Sequence, residues 1–149
     1  MEKVTLTKEQ LFKVMHLNEQ ENKPETKSNS GFKNMVSTLL HSQTQVHIFH
    51  LQTKSYSEHK ALQKYYEGID VLVDGIIESY QGKYDVIKNY DSVKTEDYKS
   101  SEQVINYFKS LDTMIEKARK GVKESFIQNQ IDTVQELIFS TVYKLRFLK

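Results

Sequence analysis

Residues 82–103 read GKYDVIKNYDSVKTEDYKSSEQ, and the length of this stretch decides how the chain packs. Before it, residues 58 to 81 carry Leu62, Tyr65, Ile69, Leu72, Ile76 and Tyr80. Their three- and four-residue spacing is that of an amphipathic helix, and Gly82 is a natural residue to end it. After it, SSEQ reads as a capping box. It opens a helix through Val104, Tyr107, Phe108, Leu111, Met114 and Ile115. A tight turn would make these two helices antiparallel. Residues 83–99 are instead long enough to run the length of a bundle, with a short helical turn expected around Val86. The two flanking helices then lie parallel.

The other elements follow from the same periodicity. Residues 32 to 53 carry Phe32, Met35, Val36, Leu39, Val46 and Phe49 and read as the first long helix. The turn is expected at KSYS, 54–57, with Ser57 as N-cap. Gly121 breaks the chain after the third helix. A fourth runs to about residue 146 through Phe126, Ile131, Val134, Leu137, Ile138, Val142 and Leu145. Four long amphipathic helices with one crossover are an all-α bundle of the ferritin-like kind. Residues 7 to 21 read as a short helix, with Thr7 and Gln10 as a capping box and Leu11, Phe12 and Met15 on one side. NKPETKSNSG, 22–31, holds the one proline and reads as a linker. The expected organisation is therefore an arm over 1–30 and a bundle over 31–149.

Composition narrows the function classes. The chain has 149 residues, enough for one domain with a sizeable core. Its net charge of +1 gives no bulk electrostatic attraction to nucleic acid or anionic membrane. Cysteine is absent, which excludes disulfides, thiolate metal sites and thiol nucleophiles, and fits a cytoplasmic setting. No apolar run approaches the roughly 18 residues of a membrane span, and the charged N-terminus does not read as a signal peptide. The glycines at 31, 68, 75, 82 and 121 form no nucleotide fingerprint.

The chemistry-bearing residues gather around the first interhelical turn. His47, His50 and His59 lie there, and Asp74 and Glu78 lie further along the second helix. His59 and Asp74 are separated by about 22 Å at 1.5 Å per residue. One metal ion holds its ligands within roughly 2 to 2.6 Å, so one chain cannot bring these groups together. Their directions agree even so. With His59 at zero, Asp70 falls near about 20°, Gln63 about 40°, Asp74 about 60°, Glu67 about 80° and Glu78 about 100°. The apolar stripe is centred near about 270°. Two copies of this helix, antiparallel about a two-fold axis, would set the His59 end of one against the acidic end of the other, twice over. Imidazole plus carboxylate suits Fe(II). A solvated polar helix face has this appearance too. His16 and His41 gain nothing from the argument and read as ordinary surface or partly buried histidines.

This pattern resembles the ferroxidase motif of Dps-like mini-ferritins: a His, a second His twelve residues on, an Asp fifteen beyond and a Glu four further. It falls on His47, His59, Asp74 and Glu78. LVDGIIES is similar to that family's Asp-centred segment, and IQNQIDTVQELIFSTVYKLRFLK to its last helix. Tailed-phage proteins with a HLQTKSYxEHKAL segment are more similar still. The mini-ferritin resemblance implies Fe(II) binding between two-fold-related subunits, oxidation by peroxide or oxygen, and a dodecameric storage shell. Its ligands would be His47 or His50, His59, and the partner's Asp74 and Glu78, with Gln63 and Glu67 auxiliary.

Two departures stand out. Gln63 occupies a position where the family has Asp, which removes a negative charge. Ile48 follows His47, and Leu51 follows His50, where the family has Trp. If the loop is three residues short, His50 takes the role of His47. The family's basic DNA-binding tail is also missing, since Lys3, Lys8 and Lys13 alternate with Glu2 and Glu9, which argues against DNA binding. The competing expectation is a noncatalytic ferritin-like bundle, a phage structural or host-interaction protein in the host cytoplasm or the virion.

Overall fold

A computed structural model describes residues 7–10 and 27–148, with 27–29 as backbone alone. Four long helices make up the fold: α1 Lys27–Gln52, α2 Tyr56–Lys83, α3 Ser101–Arg119 and α4 Ser125–Phe147. There is no strand among the described residues. None of the described helices is long and apolar enough to cross a membrane.

The arm enters only at its start. Thr7 and Gln10 form the expected reciprocal capping box: the Thr7 N–H donates to Gln10 Oε1 at 3.0 Å and the Gln10 N–H to Thr7 Oγ1 at 3.3 Å. The rest of the predicted 7–21 helix and residues 22–26 of the linker lie outside the described residues. Residues 27–31 of that linker are helical, so α1 starts earlier than its apolar stripe.

The apolar stripes form one core. Phe32, Met35, Val36, Leu39, Val46 and Phe49 of α1 meet Leu62, Tyr65, Ile69, Val73 and Ile76 of α2. Val104, Phe108 and Ile115 of α3 and Ile127, Ile131, Val134 and Ile138 of α4 complete it. Phe126 was expected in this stripe but is 51% exposed. It stands at the first turn of α4, where Ile127 takes the inward position. Some polar groups inside are paired. Ser42 donates its one hydroxyl proton to the Leu39 carbonyl at 2.6 Å, so it accepts from Tyr65 at 2.9 Å. Burial pushes the Tyr65 phenol far above its usual range.

Each helix packs on two others. α1 lies against α2 and α3, and α4 lies against the same two. The stack of Phe32 on Tyr80, 4.0 Å between centroids, sets the end of α2 beside the start of α1. Phe49 meets Tyr107 edge-on at 5.6 Å, which sets the start of α3 beside the end of α1. α2 and α3 are therefore parallel and both antiparallel to α1. α4 returns along α3, joined by the two-pronged Arg119–Asp132 contact at 2.6 and 2.9 Å. α4 faces α2 at Gly68 and Gly75, where Leu137 and the Gln130 side chain would stand 3.5 and 3.7 Å from an added methyl, an ordinary contact.

The crossover is a strap laid along α1. The Asp91 N–H donates to Ser37 Oγ at 3.0 Å. Gln45 pairs with both backbone groups of Glu96, donating to its carbonyl at 2.8 Å and accepting from its N–H at 2.7 Å. Gln52 accepts from the Tyr98 N–H at 2.6 Å. From Ser37 to Gln52 α1 rises about 22 Å, and from Asp91 to Tyr98 an extended chain covers about 23 Å. The strap is thus extended overall, with slack between Asp91 and Glu96, where about 16 Å of chain accompanies about 12 Å of helix. Helix side chains supply the partners its peptide groups need.

Three local expectations are corrected. Residues around Val86 form no helical turn; Asp85 caps the Val86 N–H and Gln81 the Ile87 N–H instead. Gly82 does not end α2: the helix continues to Lys83, and the Tyr84 N–H still reaches the Tyr80 carbonyl at 2.9 Å. Ser55, not Ser57, caps α2. The predicted break at Gly121 is present, with Gly121 bonding back to the Ala118 carbonyl at 3.0 Å.

Candidate metal centre

The α1–α2 connection is three residues long, Thr53 to Ser55, and this brings two histidines face to face. The Thr53 N–H still bonds the Phe49 carbonyl at 2.9 Å, and Ser55 Oγ accepts from the Glu58 N–H at 3.4 Å. With so short a turn, the last turn of α1 and the first of α2 lie side by side. His50 and His59 stack there with centroids 3.6 Å apart and ring planes 23° from parallel.

Their hydrogen bonds are reciprocal. His50 Nδ1 contacts the His59 carbonyl at 2.8 Å, and His59 Nδ1 contacts the His50 carbonyl at 2.9 Å. A carbonyl only accepts, so both Nδ1 atoms carry the proton. Each neutral ring then keeps its lone pair on Nε2, as in metal-ligating histidines whose other nitrogen is held by a backbone carbonyl. Stacked rings cannot both aim in-plane lone pairs at one ion, so the couple offers separate donors.

His47 is exposed on the next turn of α1. Its ring lies on that of Tyr66, 4.2 Å between centroids, and Tyr66 also meets His50 edge-on at 5.1 Å. Next to His59 in sequence, Glu58 is 4% exposed. Thr53 and Tyr98 both donate to its Oε2, the latter at 2.9 Å, while its Oε1 is buried without a partner.

The remaining expected ligands sit along α2. Gln63 accepts from Lys60 at 2.9 Å and donates to Glu67 at 2.8 Å, so an ammonium is already drawn into this face. Asp74 and Glu78 are exposed toward the far end of the helix. Among the described residues, no three His, Asp or Glu converge to hold a metal ion. The structure thus joins His47, His50 and His59 through ring contacts, but leaves Asp74 and Glu78 away from them in the same chain. His41 is partly buried, with both ring nitrogens buried and unpartnered, and burial lowers its pKa. His16 lies outside the described residues.

Sequence reasoning missed Glu58 and Tyr66. The signal for Glu58 was present: one residue before His59, it falls within the apolar stripe of α2, where a charge needs buried partners.

A family model described as a family of unknown function, DUF5856, matches residues 50–145, more than half of the chain. The chain belongs to DUF5856. The match opens on His50 and takes in His59, Gln63, Glu67, Asp74 and Glu78. No curated protein and no solved structure matches this DUF5856 chain.

Proposed function

We propose that the protein is a ferritin-like iron-binding protein that takes up Fe(II) between two copies of its α1–α2 hairpin and oxidises or stores it. The observation carrying this is the His50–His59 couple, whose bonded Nδ1 atoms leave two Nε2 donors beside an exposed His47. Asp74 and Glu78 make no hydrogen bond or ion pair among the described residues. The same α2 face carries exposed Tyr56, just before His59, and Val71, between His59 and Asp74, with Leu51 exposed at the end of α1, apolar surface suited to burial against a partner. A two-fold axis near residues 66 and 67 would set His59 opposite the partner's Asp74. The single long crossover between parallel helices supports a ferritin-like reading. In oxidation, two Fe(II) ions would each lose an electron and one peroxide would take both with two protons, leaving two waters.

Anaerobic Fe(II) titration followed by peroxide tests this. Saturable binding and a ferric absorbance are expected, and His59→Ala and Asp74→Ala should each abolish them. Binding no stronger than in His59→Ala removes the proposal.

The chain Lys60–Gln63–Glu67 favours a second reading. Lys60 supplies a positive charge where a metal would sit, as in a bundle that keeps the architecture for interaction with another protein. Metal-free protein by elemental analysis, copurifying stably with a partner, would support it.

A further inference from the structure

The outer face of α4 carries a second apolar feature, independent of the histidines. Phe139, Tyr143 and Phe147 are 55%, 54% and 61% exposed and stand four residues apart. With Tyr143 at zero, Phe139 falls at about −40°, Phe147 at about 40°, Glu136 at about 20° and Arg146 at about −60°. All five share one narrow stripe, turned away from the core face through Ile131, Val134 and Ile138. The C-terminal half of α4 is therefore apolar on both faces, as in a helix that is covered on both. Tyr143 and Phe147 touch at 5.7 Å between centroids, and the Arg146 guanidinium lies 4.8 Å over the Phe147 ring. Glu136 is exposed, and no hydrogen bond or ion pair holds it among the described residues.

We infer that this stripe is a self-pairing surface, covered by α4 of a second copy running antiparallel about a two-fold axis at the level of Thr141. One register satisfies both chemistries, because both pairs are centred on that level. Phe139 then lies opposite the partner's Tyr143, and Glu136 opposite the partner's Arg146, each contact occurring twice. Aromatics meet aromatics and an acid meets a base without any shift between the helices. Three aromatics of about 200 Å² each, about half exposed, cover on the order of 300 Å² per copy. That is the apolar centre of an interface of about 800 Å² per partner, with the polar flanks of α4 as its rim.

The absence of native cysteine gives a direct test. Ser140 is exposed and lies beside the proposed axis, so full-length Ser140→Cys brings two thiols within disulfide reach. Under mild oxidation at low micromolar protein it should cross-link at least about tenfold faster than Ser110→Cys, an exposed site on α3. Glu136→Arg in the Ser140→Cys background sets like charges opposed twice and should slow cross-linking on the order of tenfold. Adding Arg146→Glu should restore the rate to within about threefold. All these substitutions are at exposed positions, and circular dichroism checks that each variant is helical. Equal rates at Ser140 and Ser110, or a double charge reversal no faster than the single one, overturns the pairing. Neither outcome touches the iron proposal, whose residues lie on α1 and α2.

Discussion

Gln45 is the side chain on which the crossover hangs, and its replacement has a calculable effect. The amide is 1% exposed and occupies both the N–H and the carbonyl of Glu96. Gln45→Met keeps the volume and removes both bonds. Each is worth about 1 kcal/mol net, and Glu96 is exposed enough for water to replace part of the loss. The expected cost is about 2 kcal/mol, or about 4–8 °C in Tm for a chain of this size. Gln45→Glu makes the pH dependence diagnostic. Ionised, the new carboxylate still accepts from the Glu96 N–H but faces the Glu96 carbonyl with no proton to give. Protonated, it reproduces the amide's donor and acceptor. Its folded-state pKa is therefore raised above the unfolded value of about 4.3. Stability from this contact is complete below the unfolded value and lost as pH rises through the folded one. The deficit of Gln45→Glu against wild type should be largest at neutral pH and shrink as pH falls toward about 4. Denaturant titrations across that range, with hydrogen exchange at the Glu96 amide, provide the readout. Unchanged Glu96 protection in Gln45→Met, or a deficit independent of pH in Gln45→Glu, refutes this account of the strap.

Three shorter predictions accompany it. Gly68→Ala places a methyl 3.5 Å from Leu137, an ordinary contact, so helix propensity should add about 0.5–1 kcal/mol of stability, read as a rise in Tm. Gln63→Asp returns a negative charge to the α2 face and should tighten anaerobic Fe(II) binding on the order of tenfold; unaltered affinity would place Gln63 outside the site. The Arg119 guanidinium holds the Asp132 carboxyl below its usual range. Stability from this depressed group is present above the unfolded value of about 3.9 and lost as pH falls through the folded one. Asp132→Asn should accordingly flatten the acid limb of stability, and an identical slope in both proteins would show the pair contributes nothing.

The helices were legible in the sequence because their apolar residues recur at helical spacing, and the crossover because residues 83–99 are too long for a turn. Their ends were less legible. Ser55 with Glu58 three residues on is as good a cap signal as Ser57, and the competition was settled by Glu58 turning inward to Thr53 and Tyr98. Gly82 offered a left-handed stop that the chain did not use, since continued i→i−4 bonding through Tyr84 needs no such conformation. The histidines were visible as residue types, and so was their polar face on α2. Their reciprocal bonding was not, because it depends on a turn of only three residues. The outward placement of Phe126 followed from its neighbour Ile127 filling the inward position, a choice periodicity alone leaves open.

The extended crossover also decides which length changes the chain tolerates. An inserted residue between Ser92 and Thr95 has room to bulge into solvent while its neighbours keep their partners on α1. A deleted one leaves about 13 Å of chain between Asp91 and Glu96 for the about 12 Å that α1 rises from Ser37 to Gln45. A second deletion exceeds that reach, and either Ser37 or Gln45 must then release its peptide group. Variation in this segment should therefore be one-sided, lengthening freely and shortening by one residue at most.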